Sequence, residues 1–136
     1  LLLPIADLVT PNIFEANLLS NLDIKNQVDI EQSAKSIIKL GAKAVLIKGG
    51  GLKDMKGRDF YLDVNGGKKW FINKFINTQN THGSGCTLSA AICGYQALGF
   101  DLIESIQKSK IFIERSLKNS YQIGSGPGPL GHYQSL

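Results

Sequence analysis

Apolar and polar positions along the chain alternate between short β-type runs and longer helical runs. Residues 7–10 predict a short buried strand that ends at Pro11, and Asn12 is a good N-cap for a helix over about 13–19. Residues 29–32 have the pattern of a capping box, which predicts the start of a second helix. The predicted apolar stripe of that helix consists of Ile30, Ala34, Ile37, Ile38 and Leu40.

The middle of the chain predicts three strands. The continuous apolar run 44–47 is typical of a strand that is buried on both faces, as in a parallel sheet. Runs 59–64 and 69–72 follow, and the Asn-Gly-Gly sequence at 65–67 between them is a hairpin signal. Strands that alternate with helices favour an α/β layered fold, in which ligands bind beyond the carboxyl ends of the strands.

The last third of the chain predicts two helices. A polar loop over 77–83 leads into a helix of small residues from Ser84 to about Leu98. A second helix begins at the capping box of Asp101 and continues to about Tyr121, with Leu102, Ile106, Ile113 and Leu117 as its apolar stripe. The glycine- and proline-rich segment 124–129 is incompatible with regular structure.

Composition and charge narrow the class of protein. With 43% hydrophobic and 19% charged residues, the chain is typical of a folded globular domain. Its net charge of +4 comes from scattered lysines and arginines, without the basic stripe and interleaved aromatics of a nucleic-acid binder. Binding of a small anionic ligand would also account for a net positive charge. No apolar run reaches the length of a membrane span.

The cysteines and the first residue suggest the context of the chain. Cys86 and Cys93 lie seven apart in one predicted helix, so they are poorly placed to bridge each other, and neither forms a CxxC pair for zinc. Two free thiols predict a reducing, cytoplasmic location. Because residue 1 is Leu and no signal peptide is recognisable, we expect that the sequence begins inside a longer chain.

The segment best suited to ligand binding or catalysis is the turn at 80–86, which leads into the helix of small residues. Its two glycines allow close approach of the backbone to a ligand, and the first N–H groups of a helix can point at an anion. Cys86 falls in the first helical turn, where the thiolate is favoured and can accept a proton. Tight packing of the glycines around a small buried cysteine explains the same pattern, and spacing alone does not decide between the two.

Residues 80–91 resemble the signature of the phosphomethylpyrimidine kinases, within the wider ribokinase superfamily. In that superfamily the turn ends in a catalytic Asp, and the pyrimidine kinases have Cys there, as here. The resemblance implies that Cys86 is the catalytic residue and that Gly83, Ser84 and Gly85 form the anion hole. It also implies phosphorylation of hydroxymethylpyrimidine and its monophosphate by ATP, in thiamine biosynthesis.

Three other segments are similar to the same family. Residues 10–16 resemble its N-x-x-E segment, which implies that Glu15 organises Mg²⁺ through water; the same residues fit an ordinary capping box. Residues 45–50 resemble the strand-to-loop segment near the nucleotide phosphates, and the resemblance places Lys48, Thr81 and Asn12 at the nucleotide. Residues 124–132 resemble the family's terminal segment, to which we assign no chemistry. Three positions depart from the family pattern: Gly51 replaces His, Asn77 replaces Asp, and Gln79 replaces a basic residue.

The resemblance covers residues 1–136 and implies the C-terminal part of one ribokinase-like domain, an αβα three-layer sandwich with a mostly parallel sheet and a small β-hairpin. The N-terminal half of such a domain, which builds most of the pyrimidine pocket, is then missing from this sequence. ATP and Mg²⁺ are the implied cofactors. For partners we expect a small-molecule substrate and a homodimer, with neither nucleic acid nor a membrane.

Three alternatives stay open. A pyridoxal kinase of the same superfamily can also have Cys in the turn, and the residues that would discriminate it lie upstream. A truncated product could bind anions or nucleotide without turnover, and we expect the 136 residues alone to be inactive. A thiol enzyme with Cys86 as nucleophile would need a partnered base, for which His82 is the nearby candidate.

Overall fold

The computed structural model describes residues 2–133. The chain divides into two compact units, Leu1–Ile72 and Asn73–Leu136, here called the sheet unit and the helical unit. The sheet unit contains helices α1 (Ile13–Ser20) and α2 (Gln27–Lys39) and strands β1 (Ala44–Lys48), β2 (Arg58–Asp63) and β3 (Lys68–Ile72). The helical unit contains α3 (Ser84–Ala97) and α4 (Leu102–Lys118).

The three strands form an antiparallel sheet in the order β1-β2-β3. Residues 7–10 do not form the predicted strand; beside β1, parallel pairing in the described residues consists of the bridges Val9 to Val45 and Asn12 to Lys48. In the described chain, the mostly parallel sheet that we expected is therefore represented only by these bridges beside β1. The N–H of Val9 donates to Ala44 O, and Val9 O accepts from the N–H of Leu46, so this backbone follows β1 without a continuous ladder.

The core of the sheet unit lies between α2 and the sheet. The side chains of Ile30, Ala34 and Ile37 are fully buried on one face of α2, as the spacing predicted. The prediction is wrong for Leu40, which follows the last residue of the helix and is 50% exposed. The three buried side chains pack in one cluster with Val45 and Ile47 of β1. Full burial of an isoleucine contributes about 2–3 kcal/mol each, so these contacts hold α2 on the sheet.

The start of α2 differs from the prediction. The helix begins at Gln27 and is capped by Asn26, whose side chain accepts a hydrogen bond from the N–H of Asp29. Asp29 lies in the first turn, and its Oδ2 accepts from the N–H of Lys25 at 2.9 Å. An asparagine that reaches the third helical N–H satisfies it as well as a serine or aspartate would, so the helix starts before residues 29–32.

The hairpin between β2 and β3 is organised by Asp63. Its Oδ1 accepts from the N–H groups of Asn65 and Gly67, and Gly66 has a φ of 86°, which favours glycine. The hydroxyl of Tyr61 donates to Asp63 Oδ2 at 3.2 Å. The predicted hairpin is confirmed, and its turn is held by one carboxylate.

Tyr61 makes the stability of the chain sensitive to alkaline pH. Burial and the neighbouring Asp63 carboxylate raise the pKa of Tyr61 from 10.0 to about 12. As the pH rises, the unfolded chain loses this proton before the folded chain does. The contribution of Tyr61 to the free energy of unfolding is therefore complete below pH 10 and is lost between pH 10 and 12. We expect a loss of about 2 kcal/mol in urea unfolding, and Tyr61→Phe should flatten that part of the profile. An unchanged profile in the variant would contradict this.

In the helical unit, α4 starts as predicted and ends earlier. The side chain of Asp101 accepts from the N–H of Glu104, and the helix stops at Lys118 instead of about Tyr121. The N–H of Tyr121 donates to Pro129 O, which draws the chain away from the helix axis. Of the predicted apolar stripe only Ile106 is fully buried; the other buried residues of α4 are Ser105, Ser109, Lys110 and Ser116.

Candidate functional site

Helix α3 begins without a capping side chain. Its N-cap residue is Gly83, which has a φ of 81° in the left-handed region and no side chain to accept a hydrogen bond. Other residues adopt this conformation with strain, so the sharp entry into the helix depends on glycine. The first N–H groups of the helix are therefore left for another acceptor.

Three of these N–H groups are available. The N–H of Ser84 donates to Thr81 O at 3.2 Å, and that of Thr87 donates to Gly83 O at 2.8 Å. Within residues 2–133, the N–H groups of Gly83, Gly85 and Cys86 have no acceptor. They lie at the positive end of the dipole of a 14-residue helix, an arrangement that suits a phosphate oxygen.

The thiol of Cys86 belongs to the same turn. Cys86 is exposed, and so is Cys93 two helical turns further on; both are free thiols. The packing explanation for the turn, a small buried cysteine, is therefore wrong for Cys86. Thr81 and His82 are exposed beside it, and Gly83, Ser84 and Gly85 are half-buried. The structure thus brings together Thr81, Gly83, Ser84, Gly85 and Cys86 on the surface of the helical unit.

The terminal segment lies against this turn. The N–H of Gly128 donates to Asn80 Oδ1 at 2.9 Å, and the N–H of His82 donates to Gly128 O at 3.3 Å. Beyond the turn, Thr87 Oγ1 and His132 Nε2 lie 2.9 Å apart. Sequence reasoning assigned no chemistry to this segment, and nothing in the sequence around Asn80 indicates that its side chain bonds to Gly128.

The other predicted site residues lie together in the sheet unit. Asn12 and Glu15 form a reciprocal capping box on α1, in which Glu15 Oε2 accepts from the Asn12 N–H at 2.8 Å. Lys48 is the last residue of β1, at the carboxyl end where ligands bind in such folds. Its N–H donates to Pro11 O at 2.9 Å, which keeps the start of α1 beside it.

A buried carboxylate supports the loop after Lys48. Asp59 is 8% exposed, pairs with Lys48 across β1 and β2, and accepts a hydrogen bond from the N–H of Gly49 at 3.1 Å. Sequence reasoning treated Asp59 only as the start of a strand. Its place directly opposite Lys48 follows from the strand register, which the sequence alone does not give.

The surface near Glu15 is mainly apolar. A shallow depression of the sheet unit is lined by Val9, Thr10, Pro11, Glu15, Leu18 and Leu19. Across residues 2–133, no three His, Cys, Asp or Glu side chains gather as metal ligands. A single exposed carboxylate still suits Mg²⁺ held through water, since Mg²⁺ keeps several waters and takes few protein ligands.

Comparison with known proteins identifies the family. Residues 1–131 match the family model described as phosphomethylpyrimidine kinase. The chain belongs to the phosphomethylpyrimidine kinase family. It is 44% identical over 138 residues to a hydroxymethylpyrimidine/phosphomethylpyrimidine kinase of Synechococcus elongatus, covering 99% of this chain and 51% of that relative. A kinase of the same name from Staphylococcus aureus strain Mu50 is 40% identical, over 99% of this chain and 49% of the relative.

Solved structures confirm the predicted ribokinase-like α/β fold class. An ADP complex of Bacillus subtilis pyridoxal kinase superposes with a TM-score of 0.91 at 38% identity, over 98% of this chain and 50% of that one. A phosphomethylpyrimidine kinase from Clostridium difficile 630 superposes with a TM-score of 0.68 at 36% identity, over 83% and 44%. The chain spans about half the length of the relatives that it matches. In residues 2–133 no helix has both the length and the apolar character needed to cross a membrane.

Proposed function

We propose that this chain supplies the phosphoryl-transfer site of an ATP-dependent kinase, which phosphorylates hydroxymethylpyrimidine and then its monophosphate to the diphosphate in thiamine biosynthesis. One observation carries the proposal: three free N–H groups at the uncapped start of α3, with an exposed thiol in the same turn. Family membership and the names of the relatives support the choice of substrate.

In this proposal the turn binds the phosphate that is transferred. The N–H groups of Gly83, Gly85 and Cys86 donate to its anionic oxygens, and the dipole of α3 adds positive potential at the same point. Ser84 belongs to the same anion hole and orients it through its bond to Thr81. Phosphoryl transfer depends on positioning and charge stabilisation more than on covalent chemistry, so fixed backbone donors suit it.

Cys86 is proposed as the group that accepts the proton of the acceptor hydroxyl. Its Sγ is exposed in the first turn of α3, beside the free N–H groups. As the hydroxyl oxygen bonds to phosphorus, its proton passes to Sγ, and the bond to the nucleotide leaving group breaks.

Lys48, Asn12 and Thr81 are proposed to contact the nucleotide, Lys48 as a point charge beside the phosphates. Glu15 is proposed to hold Mg²⁺ through water, using the oxygen that does not accept from Asn12. When bound, Mg²⁺ would neutralise phosphate charge. The ADP and AMP-PCP complexes of the pyridoxal kinases support the choice of nucleotide.

A cytoplasmic location and a homodimer complete the proposal. The two free cysteines suit a reducing compartment. The expectation that neither nucleic acid nor a membrane is a partner rests on the scattered charge and the lack of a long apolar run.

A second candidate function is that of a pyridoxal kinase. The specific observation in its favour is structural: the pyridoxal kinases of Bacillus subtilis and Staphylococcus aureus superpose with TM-scores of 0.91, above the 0.68 of the Clostridium difficile pyrimidine kinase. The curated relatives with 40–44% identity are named as pyrimidine kinases, which favours the first candidate.

A hybrid enzyme tests the proposed function. In it, this chain replaces the matching segment of the Synechococcus elongatus relative, which is 44% identical. We expect ATP-dependent phosphorylation of hydroxymethylpyrimidine by the hybrid and none by the 136-residue chain alone. The product is followed by mass spectrometry, and circular dichroism checks that the hybrid is folded. A folded hybrid that transfers no phosphate would refute the proposal, and a protein containing this chain that phosphorylates only pyridoxal would favour the second candidate.

A further inference from the structure

The terminal segment is attached on both sides of the turn that carries the free N–H groups. Before the turn, Asn80 Oδ1 accepts from the N–H of Gly128, and Gly128 O accepts from the N–H of His82. After the turn, Thr87 Oγ1 lies 2.9 Å from His132 Nε2. The three N–H groups of the turn that have no acceptor, those of Gly83, Gly85 and Cys86, lie between these two attachments along the chain.

The segment is itself firmly held against α4. The N–H of Gly131 donates to Ser116 O at 3.0 Å, and Leu130 is 4% exposed. The ring of His132 stacks on Phe112 of α4, with 6.0 Å between the ring centroids. Because the segment is fixed to α4, its bonds to the turn also fix the turn relative to α4.

Two glycines of the segment permit this close approach. A Cβ on Gly128 would collide with Tyr121 O and Asn80 Oδ1, and one on Gly131 would collide with Asn119 O. The contacts with Tyr121 O and Asn119 O involve backbone, which cannot move aside as a flexible side chain can. Glycine at these positions thus lets the segment lie directly on its neighbours.

We propose that residues 128–132, the terminal strap, fix the geometry of the anion-binding turn, and that Asn80 and His132 are its positioning residues. Neither residue needs to touch the substrate. Asn80 anchors the strap ahead of Gly83, and His132 anchors it behind Cys86, so the N–H groups between them keep one orientation. The strap's effect on catalysis rests on the proposed function, whereas its effect on the turn does not.

The first test measures the turn in the 136-residue chain without any ligand. Cys93→Ser leaves Cys86 as the sole thiol. In that background we expect Asn80→Ala and His132→Ala each to speed hydrogen exchange of the hydrogen-bonded N–H groups of Ser84 and Thr87 about tenfold and to change the rate of alkylation of Cys86 by iodoacetamide. Asn80→Asp retains the oxygen that accepts from Gly128 and should restore the original rates. Tyr133→Ala, at a neighbouring residue that is 90% exposed, is the matched control.

The outcome separates positioning from general stability. Faster exchange confined to the N–H groups of Ser84 and Thr87, with α4 unchanged, supports the strap. Equal acceleration throughout α3 and α4, or no change at the turn, overturns it.

The second test uses the hybrid enzyme. We expect Asn80→Ala to lower kcat about tenfold with little change in the KM for hydroxymethylpyrimidine, and Asn80→Asp to recover most of the loss. If the parent hybrid is inactive while the exchange result holds, the proposed function fails and the strap stands. If the hybrid is active and Asn80→Ala leaves kcat unchanged, the strap does not position the turn for catalysis.

Discussion

Replacement of Cys86 by alanine is expected to lower kcat of the hybrid enzyme by about 10²–10⁴-fold, the range that a positioned proton acceptor contributes. The expected cause is loss of the group that takes the proton from the acceptor hydroxyl, while the N–H groups of the turn remain. The KM for ATP should therefore change little. Initial rates with hydroxymethylpyrimidine at saturating ATP measure the effect.

Cys93 provides the matched control for Cys86. It is also a free, exposed thiol on α3, but it lies outside the turn, so Cys93→Ala should keep the activity of the parent hybrid. Cys86→Asp should recover part of the lost rate, because a carboxylate can also accept the proton, as the resemblance to the wider superfamily implies. If Cys86→Ala retained full kcat, Cys86 would not be the proton acceptor, although the turn could still bind phosphate.

Replacement of Gly49 by alanine is expected to destabilise the chain by about 3 kcal/mol, the upper part of the range for overpacking. A Cβ at Gly49 would collide with Arg58 O and come within 2.9 Å of Met55 O. Both are backbone atoms, so the loop itself must move. The same displacement should weaken the hydrogen bond from the Gly49 N–H to the buried Asp59. Urea unfolding of the 136-residue chain measures the loss.

The adjacent glycine serves as the control for this prediction. A Cβ at Gly50 would meet no atom within 4 Å, and Gly50 has no positive φ. Gly50→Ala should therefore be neutral, or stabilise by about 0.5 kcal/mol through reduced freedom of the unfolded chain. Equal midpoints for the two variants would show that the loop adapts to the added methyl group.

Local patterns predicted the elements well where one short-range signal dominates. The apolar run of β1, the glycine turn before β3 and the capping box at Asn12 each depend on neighbours in sequence, and each is confirmed. The strand expected at residues 7–10 depends on partners elsewhere in the chain, and there the local pattern was insufficient. The end of α4 was misplaced for the same reason, because the N–H of Tyr121 bonds to Pro129.

The candidate site was predicted where its chemistry is contiguous. Spacing alone left the exposure of Cys86 open, but the turn at Gly83–Cys86 combines glycines, a helix start and a thiol in consecutive residues, so free N–H groups there could be anticipated. Asp59 and the terminal strap could not, because their partners are 10 and 48 residues away in the bonds to Gly49 and Asn80. A buried carboxylate and a glycine forced against backbone become recognisable only when distant segments are placed together.

The lack of a capping side chain on α3 affects both the stability of the helix and its ability to bind an anion. A serine or aspartate at the start of a helix typically adds about 1 kcal/mol, and Gly83 forgoes part of it. Such a side chain would also occupy donors that an incoming anion needs, and would compete with it as a built-in inhibitor. A serine or aspartate at position 83 would also be strained at the φ of 81°, so capping α3 there needs a different backbone at the turn and should impair ligand binding, a direct case of conflict between stability and function.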